Sequence, residues 1–190
     1  ETMERAPAVA GTVYEADASA LLGQVDGFLG TAGGNGSPQV ASAVIAPHAG
    51  YTFCGAVLGQ VYARTVVPDR VLILAPNHTG LGQAAAVSPN GFRTPLGTVP
   101  LGAPLAEALV ARGPLAWDEL AHAEQHAVEV HLPFLLRRNP AVRMTAVCLR
   151  TMSFAMCEEI GQIVADAVAA ADSPVLVVAS SDMNHHEPQR

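Results

Sequence analysis

The strongest constraint on the fold is a set of five short apolar runs that do not alternate with polar residues: 42–46 (SAVIA), 71–75 (VLILA), 84–87 (AAAV), 143–149 (RMTAVCL) and 175–180 (VLVVAS). A strand with one wet face reads apolar–polar, whereas an unbroken run suits a strand covered on both faces. Between the runs, segments over roughly 16–29, 53–65, 101–112, 123–138 and 154–171 carry helical spacing. Strand and helix in alternation predict an α/β fold, a central mostly parallel or mixed sheet flanked by helices, because parallel neighbours are joined by right-handed crossovers. Thr31–Pro38 reads as a loop, and no repeat or long linker divides the chain, so residues 1–190 are expected to form one domain.

Composition narrows the class of protein. Half of the residues are hydrophobic and 14% are charged, which excludes a disordered chain. The net charge of −7 argues against nucleic acid and anionic membrane partners, and Arg137-Arg138 is the one adjacent basic pair. No apolar run approaches the roughly 18 residues of a membrane span, and the acidic opening lacks a basic-then-apolar leader, so a cytoplasmic location is expected. Cys54, Cys148 and Cys157 are odd in number and lack Cys-x-x-Cys spacing, which fits neither a disulfide framework nor a zinc finger. The seven histidines are more informative, since imidazole serves as metal ligand and as base.

In open α/β sheets ligands gather beyond the carboxyl ends of the strands. Three runs place a histidine there: His48 just after Pro47, His78 just after Pro76-Asn77, and His185 in the Ser180-Ser181-Asp182-Met183-Asn184-His185 segment. A proline that stops a strand also stiffens the turn that follows, so His48 and His78 are candidates to share one divalent metal. The alternative is that each caps a turn or satisfies a carbonyl. Asp182 and His185, three apart, suit a carboxylate–imidazole pair in which the acid orients the base, although a helix-capping turn would use the same residues.

The other candidates are less specific. In His122-Ala-Glu124-Gln-His126-Ala-Val-Glu129-Val-His131, the helical zinc motif fails because Glu124 stands two residues after the first His. His122/His126 and His126/Glu129 nonetheless share helical faces, so His126, Glu129 and His131 either line the site or serve capping and salt bridging. Pro133 is expected to break or kink this helix. Cys54, near His48, faces either the cleft or the core. Phe92-Arg93-Thr94-Pro95-Leu96-Gly97 reads as a rigid loop whose Arg93 either clamps an anionic substrate group or is solvated.

Taken together, Ala46-Pro-His48-Ala-Gly-Tyr51 with Cys54-Gly55, Pro76-Asn-His78, Phe92–Leu96, Glu124–Phe134 and Ser180–His185 resemble the Memo family, whose bacterial and archaeal members include AmmeMemoRadiSam system protein B. The resemblance runs from about residue 40 to the end of the chain and implies a fold similar to the class III extradiol dioxygenases. It implies His48 and His78 as metal ligands, His185 with Asp182 as the acid/base pair, and Tyr51, Cys54, Arg93, His126, Glu129 and His131 around the substrate or behind the ligands. The third ligand of the family is a cysteine far downstream, which Cys54, Cys148 and Cys157 do not match, so the resemblance also implies a domain lacking its C-terminal portion. The function implied is a metal-dependent oxidoreductase, with iron first and copper or zinc as other metals. Its substrate would be a small molecule or peptide, with a functional link to AmmeMemoRadiSam partner proteins. The alternatives are a non-catalytic module binding a peptide or protein in the same cleft, and a zinc-type metallohydrolase.

Overall fold

The computed structural model describes residues 3–31 and 37–183. In chain order the elements are β1 (Glu4–Arg5), α1 (Ala18–Thr31), β2 (Ala43–Ala46), α2 (Tyr51–Arg64), β3 (Arg70–Pro76), β4 (Ala85–Val87), β5 (Gly91–Thr94), β6 (Gly97–Val99), α3 (Ala103–Val110), β7 (Ala116–Trp117), α4 (His126–Glu129), α5 (Leu132–Arg138), β8 (Arg143–Leu149), α6 (Phe154–Ala169) and β9 (Val175–Ser180). No helix among the described residues is long and apolar enough to cross a membrane.

A six-stranded sheet of order β2-β9-β3-β8-β4-β7 carries all five expected strands. β2, β9, β3 and β8 are parallel, while β4 runs antiparallel to β8, so the sheet is mixed. Successive side chains of the central strands enter opposite cores, as the unbroken apolar runs require. Val71, Ile73, Met144, Ala146, Leu176 and Val178 face the core built with α1, α2 and α5, where Leu21, Leu58, Tyr62 and Phe134 are buried. Leu72, Val147 and Val175 face the other core, with Leu105 and Leu109 of α3 and Ile160 and Val164 of α6. Each fully buried Leu, Ile or Val contributes roughly 1.5–3 kcal/mol, so the alternation commits each strand to one register.

Two expectations are corrected. The helix expected over 123–138 is two pieces, a single turn (α4) and α5, because Pro133 has no N–H to continue the ladder and is tolerated only in a first turn. Phe92–Gly97 is not a loop: β5 and β6 form an antiparallel hairpin that pairs with β1 in a second, three-stranded sheet. Strands of two to four residues are too short to show periodicity in the sequence. The loop expected over Thr31–Pro38 lies largely outside the described residues.

Two glycines set the approach of α1 to α2. A Cβ on Gly59 would stand 2.3 Å from the backbone oxygen of Phe28, and one on Gly55 would stand 2.4 Å from the Phe28 ring. A ring can turn, but a backbone carbonyl inside a helix cannot. Gly59→Ala is therefore expected to lower stability by about 1–3 kcal/mol through overpacking, despite the better helix propensity of alanine. Urea denaturation measures it, and an unchanged midpoint would show that the helices can separate without cost.

Candidate functional site

The parallel strands β2, β9 and β3 end side by side, with Ala46 opposite Ser180 and Leu74 opposite Ala179. Short proline turns carry the chain from β2 to His48 and from β3 to His78, and the two rings meet with centroids 5.1 Å apart. His126, at the start of α4, joins them: its ring lies 5.8 Å from His48 and stacks on His78 at 4.8 Å with the planes 16° apart. The sequence leaves His126 between lining the site and a capping or salt-bridging role; the structure sets its ring against both of the others.

Each strand-end imidazole is held from behind. His78 Nδ1 contacts Gln125 Oε1 at 3.0 Å, and His48 Nδ1 contacts Ser180 Oγ at 2.8 Å. Contacts of this kind orient a ring and leave Nε2 as the outward nitrogen. Neither Gln125 nor Ser180 was singled out from sequence. The available signals were local: Gln125 immediately precedes His126 and caps α4 by accepting from Ala127 N, and Ser180 is the last residue of β9. Asp182 Oδ1 accepts the backbone N–H of His48 at 2.8 Å, and its Oδ2 lies 3.8 Å from His48 Nε2.

Burial pushes His48 down to about 4, outweighing the nearby Asp182 carboxylate, and it lowers His126, with His78 adding to the effect. The two imidazoles are thus neutral near pH 7, the form that ligates metal. Beside the cluster opens a cavity of about 850 Å³ whose walls, including Pro47, Phe53, Cys54 and Val57, are mainly apolar, with Ser181 and Asp182 among the polar members.

The remaining expected residues divide. Cys54 lines this cavity, but its thiol donates to Ala49 O at 2.8 Å and burial pushes it up to about 12, so it stays protonated. Tyr51 is in the core, ringed by Tyr14, Phe28 and Phe134, and donates to Val130 O. His131 is fully buried behind the cluster between Tyr62 and Ser180. Glu129 is fully buried and turned away, holding Arg5, Tyr14 and the backbone of Ala8 and Val9. Arg93 is exposed on β5 of the small sheet and is not brought to the cluster, because its neighbour Phe92 takes the buried face of that strand beneath Arg5. His185 lies outside the described residues, as does His186.

Two imidazoles on one metal, with bonds of about 2.0–2.1 Å at tetrahedral or octahedral angles, have ring centroids roughly 4.5–5.2 Å apart. His48 and His78 meet that separation. His126, nearly parallel to His78, would have to turn to aim at the same point. Consistent with this, no group of three or more His, Cys, Asp or Glu side chains among the described residues is set to hold a metal ion. The described residues therefore fit as a two-histidine half-site.

A pH dependence follows from two buried histidines. His122 and His131 are held neutral by burial, pushed down to about 4 and about 3. An unfolded chain would titrate them near 6.5. Between that value and pH 4 the unfolded state binds protons that the folded state refuses, so stability falls as pH falls, by up to about 1.4 kcal/mol per pH unit for each imidazole, and is unaffected by them above pH 7. Urea denaturation from pH 7.5 to 5, above the main carboxylate range, should show this decline; a flat profile would mean that the imidazoles can take up protons inside the fold.

Similarity to known proteins agrees with the geometry. The model of the Memo-like protein family matches residues 5–190. A MEMO1 family protein of Methanopyrus kandleri is 39% identical over 199 residues, covering 98% of this chain and 70% of the relative. One from Methanothermobacter thermautotrophicus is 36% identical over 198 residues, covering 98% and 72%, and one from Thermotoga maritima is 35% identical over 202 residues, covering 99% and 73%. With a mixed sheet flanked by helices and similarity along nearly its whole length, the chain belongs to the Memo family, which has an extradiol-dioxygenase-like fold.

Proposed function

We propose that this chain serves a metal-dependent oxidoreductase reaction, with His48 and His78 holding the metal and iron as its natural occupant ahead of copper and zinc. The observation that carries this reading is the pair of strand-end imidazoles 5.1 Å apart, each with Nδ1 against an oxygen and Nε2 remaining. Iron is placed first on the likeness to the extradiol-type fold, whose sites combine two histidines with an acidic ligand and open positions, and copper or zinc follow because the family's downstream cysteine would add a soft thiolate. A metal bound there would supply Lewis-acid polarisation and redox chemistry.

The protein's own residues have separable tasks in this reading. Ser180 and Gln125 hold the rings of His48 and His78. Asp182, positioned by the backbone N–H of His48, serves as the acid partner of the family's acid/base pair with His185. The apolar walls of the neighbouring cavity would exclude water from the less polar part of a substrate while Ser181 and Asp182 meet its polar end. That cavity also gives the second reading its support, a module that binds an apolar peptide segment without turnover.

Anaerobic titration with Fe(II), followed calorimetrically, separates the two. Wild type should take up iron, and His48→Ala and His78→Ala should each weaken uptake by at least the about 10–100-fold that loss of an orienting partner costs, with no uptake in the double variant. Binding unchanged in the double variant would overturn the metal reading.

A further inference from the structure

The contacts behind His48 and His78 differ in kind. Gln125 Oε1 also accepts the backbone N–H of Ala127 at 3.1 Å, so it is the amide oxygen, and His78 Nδ1 must donate to it. Ser180 offers a hydroxyl, which both donates and accepts, so its direction depends on its other neighbours. Ser180 Oγ is buried against three of them: Ala127 O at 2.7 Å, His48 Nδ1 at 2.8 Å and His131 Nε2 at 3.0 Å.

A carbonyl has no proton to give, and two oxygens 2.7 Å apart repel unless a proton lies between them. The single hydroxyl proton of Ser180 therefore goes to Ala127, and both imidazoles must donate to Ser180. His131, protonated on Nε2, then accepts at Nδ1 from the buried Tyr62 hydroxyl at 3.0 Å. Donors and acceptors match along the whole chain of groups, with no ion required.

We infer that Ser180 is the positioning residue of the site: its one proton, committed to Ala127, makes His48 the Nδ1–H tautomer and directs the Nε2 lone pair of His48 outward. Ala127 lies on the same single turn, α4, that follows Gln125 and begins with His126. The groups that orient both strand-end imidazoles are thus locked to one short element, and a shift of α4 would disturb both rings together. The role of this tautomer in metal binding rests on the function proposed above; the tautomer itself does not.

The test is two-bond ¹H–¹⁵N NMR of the imidazoles in the ¹⁵N-labelled 190-residue chain without metal, paired with Fe(II) titration. Wild type should show His48 protonated at Nδ1 and His131 at Nε2. Ser180→Ala should leave His48 in a mixture of tautomers and weaken Fe(II) binding by about 10–100-fold, and Ser180→Thr, which keeps one hydroxyl proton, should restore both. A wild-type spectrum with His48 protonated at Nε2 would overturn the proposal without reference to any variant. So would a Ser180→Ala protein whose His48 tautomer and iron affinity are unchanged. The spectrum decides the inference whether or not iron binds, whereas failure of wild type to bind iron would overturn the metal reading alone.

Discussion

The structure around the site depends on a buried carboxylate. Glu129 has no solvent exposure, and an ionised carboxyl removed from water is costly unless its lone pairs are met. Here Arg5 and the Tyr14 hydroxyl each reach it at 2.5 Å, and the backbone N–H groups of Ala8 and Val9 complete the set. Arg5 uses its other donors on the carbonyls of His122 and Gln125. The N-terminal segment and residues 122–131 are thereby bound into one unit, and that unit supplies His126 to the cluster and Gln125, Ala127 and His131 behind it.

The sheet makes a complementary demand. β2 and β3 are not neighbours; β9 lies between them. Strands about 4.8 Å apart place the ends of β2 and β3 almost twice the separation of the His48 and His78 rings. The side chains must converge over the end of β9, and the proline turns and the contacts from Ser180 and Gln125 hold them there. Ser180, the last residue of the intervening strand, stands where such a support is needed. Precision at this edge comes from rigid elements and a second layer of hydrogen bonds, the arrangement that holds a binding constellation most firmly.

Much of this was legible in the sequence, and the misses have physical causes. Four of the five strands in the apolar runs announced themselves because they are buried on both faces; β2, at the sheet edge, carries such a run although Ala43 and Ile45 are exposed. His48 and His78 announced themselves because the turn after a parallel strand is where α/β proteins bind ligands. The small sheet of β1, β5 and β6 was missed, since its strands are too short to carry a period and its partners are distant in sequence. Spacing left Glu129 and His131 between lining the site and capping or salt bridging, because spacing does not say which way a side chain turns. One is committed to Arg5 and the other to Ser180 and Tyr62. Ser180 stood in the quoted Ser180–His185 segment without a role of its own, because a serine ending a strand is ordinary until three partners are seen converging on it.

The most direct test of the account is anomalous diffraction at the iron edge from crystals of this chain soaked anaerobically in Fe(II). The account predicts one peak about 2.1 Å from Nε2 of both His48 and His78, with their Nδ1 atoms still against Ser180 and Gln125. A peak remote from these two histidines, or one bound through Nδ1, would contradict it.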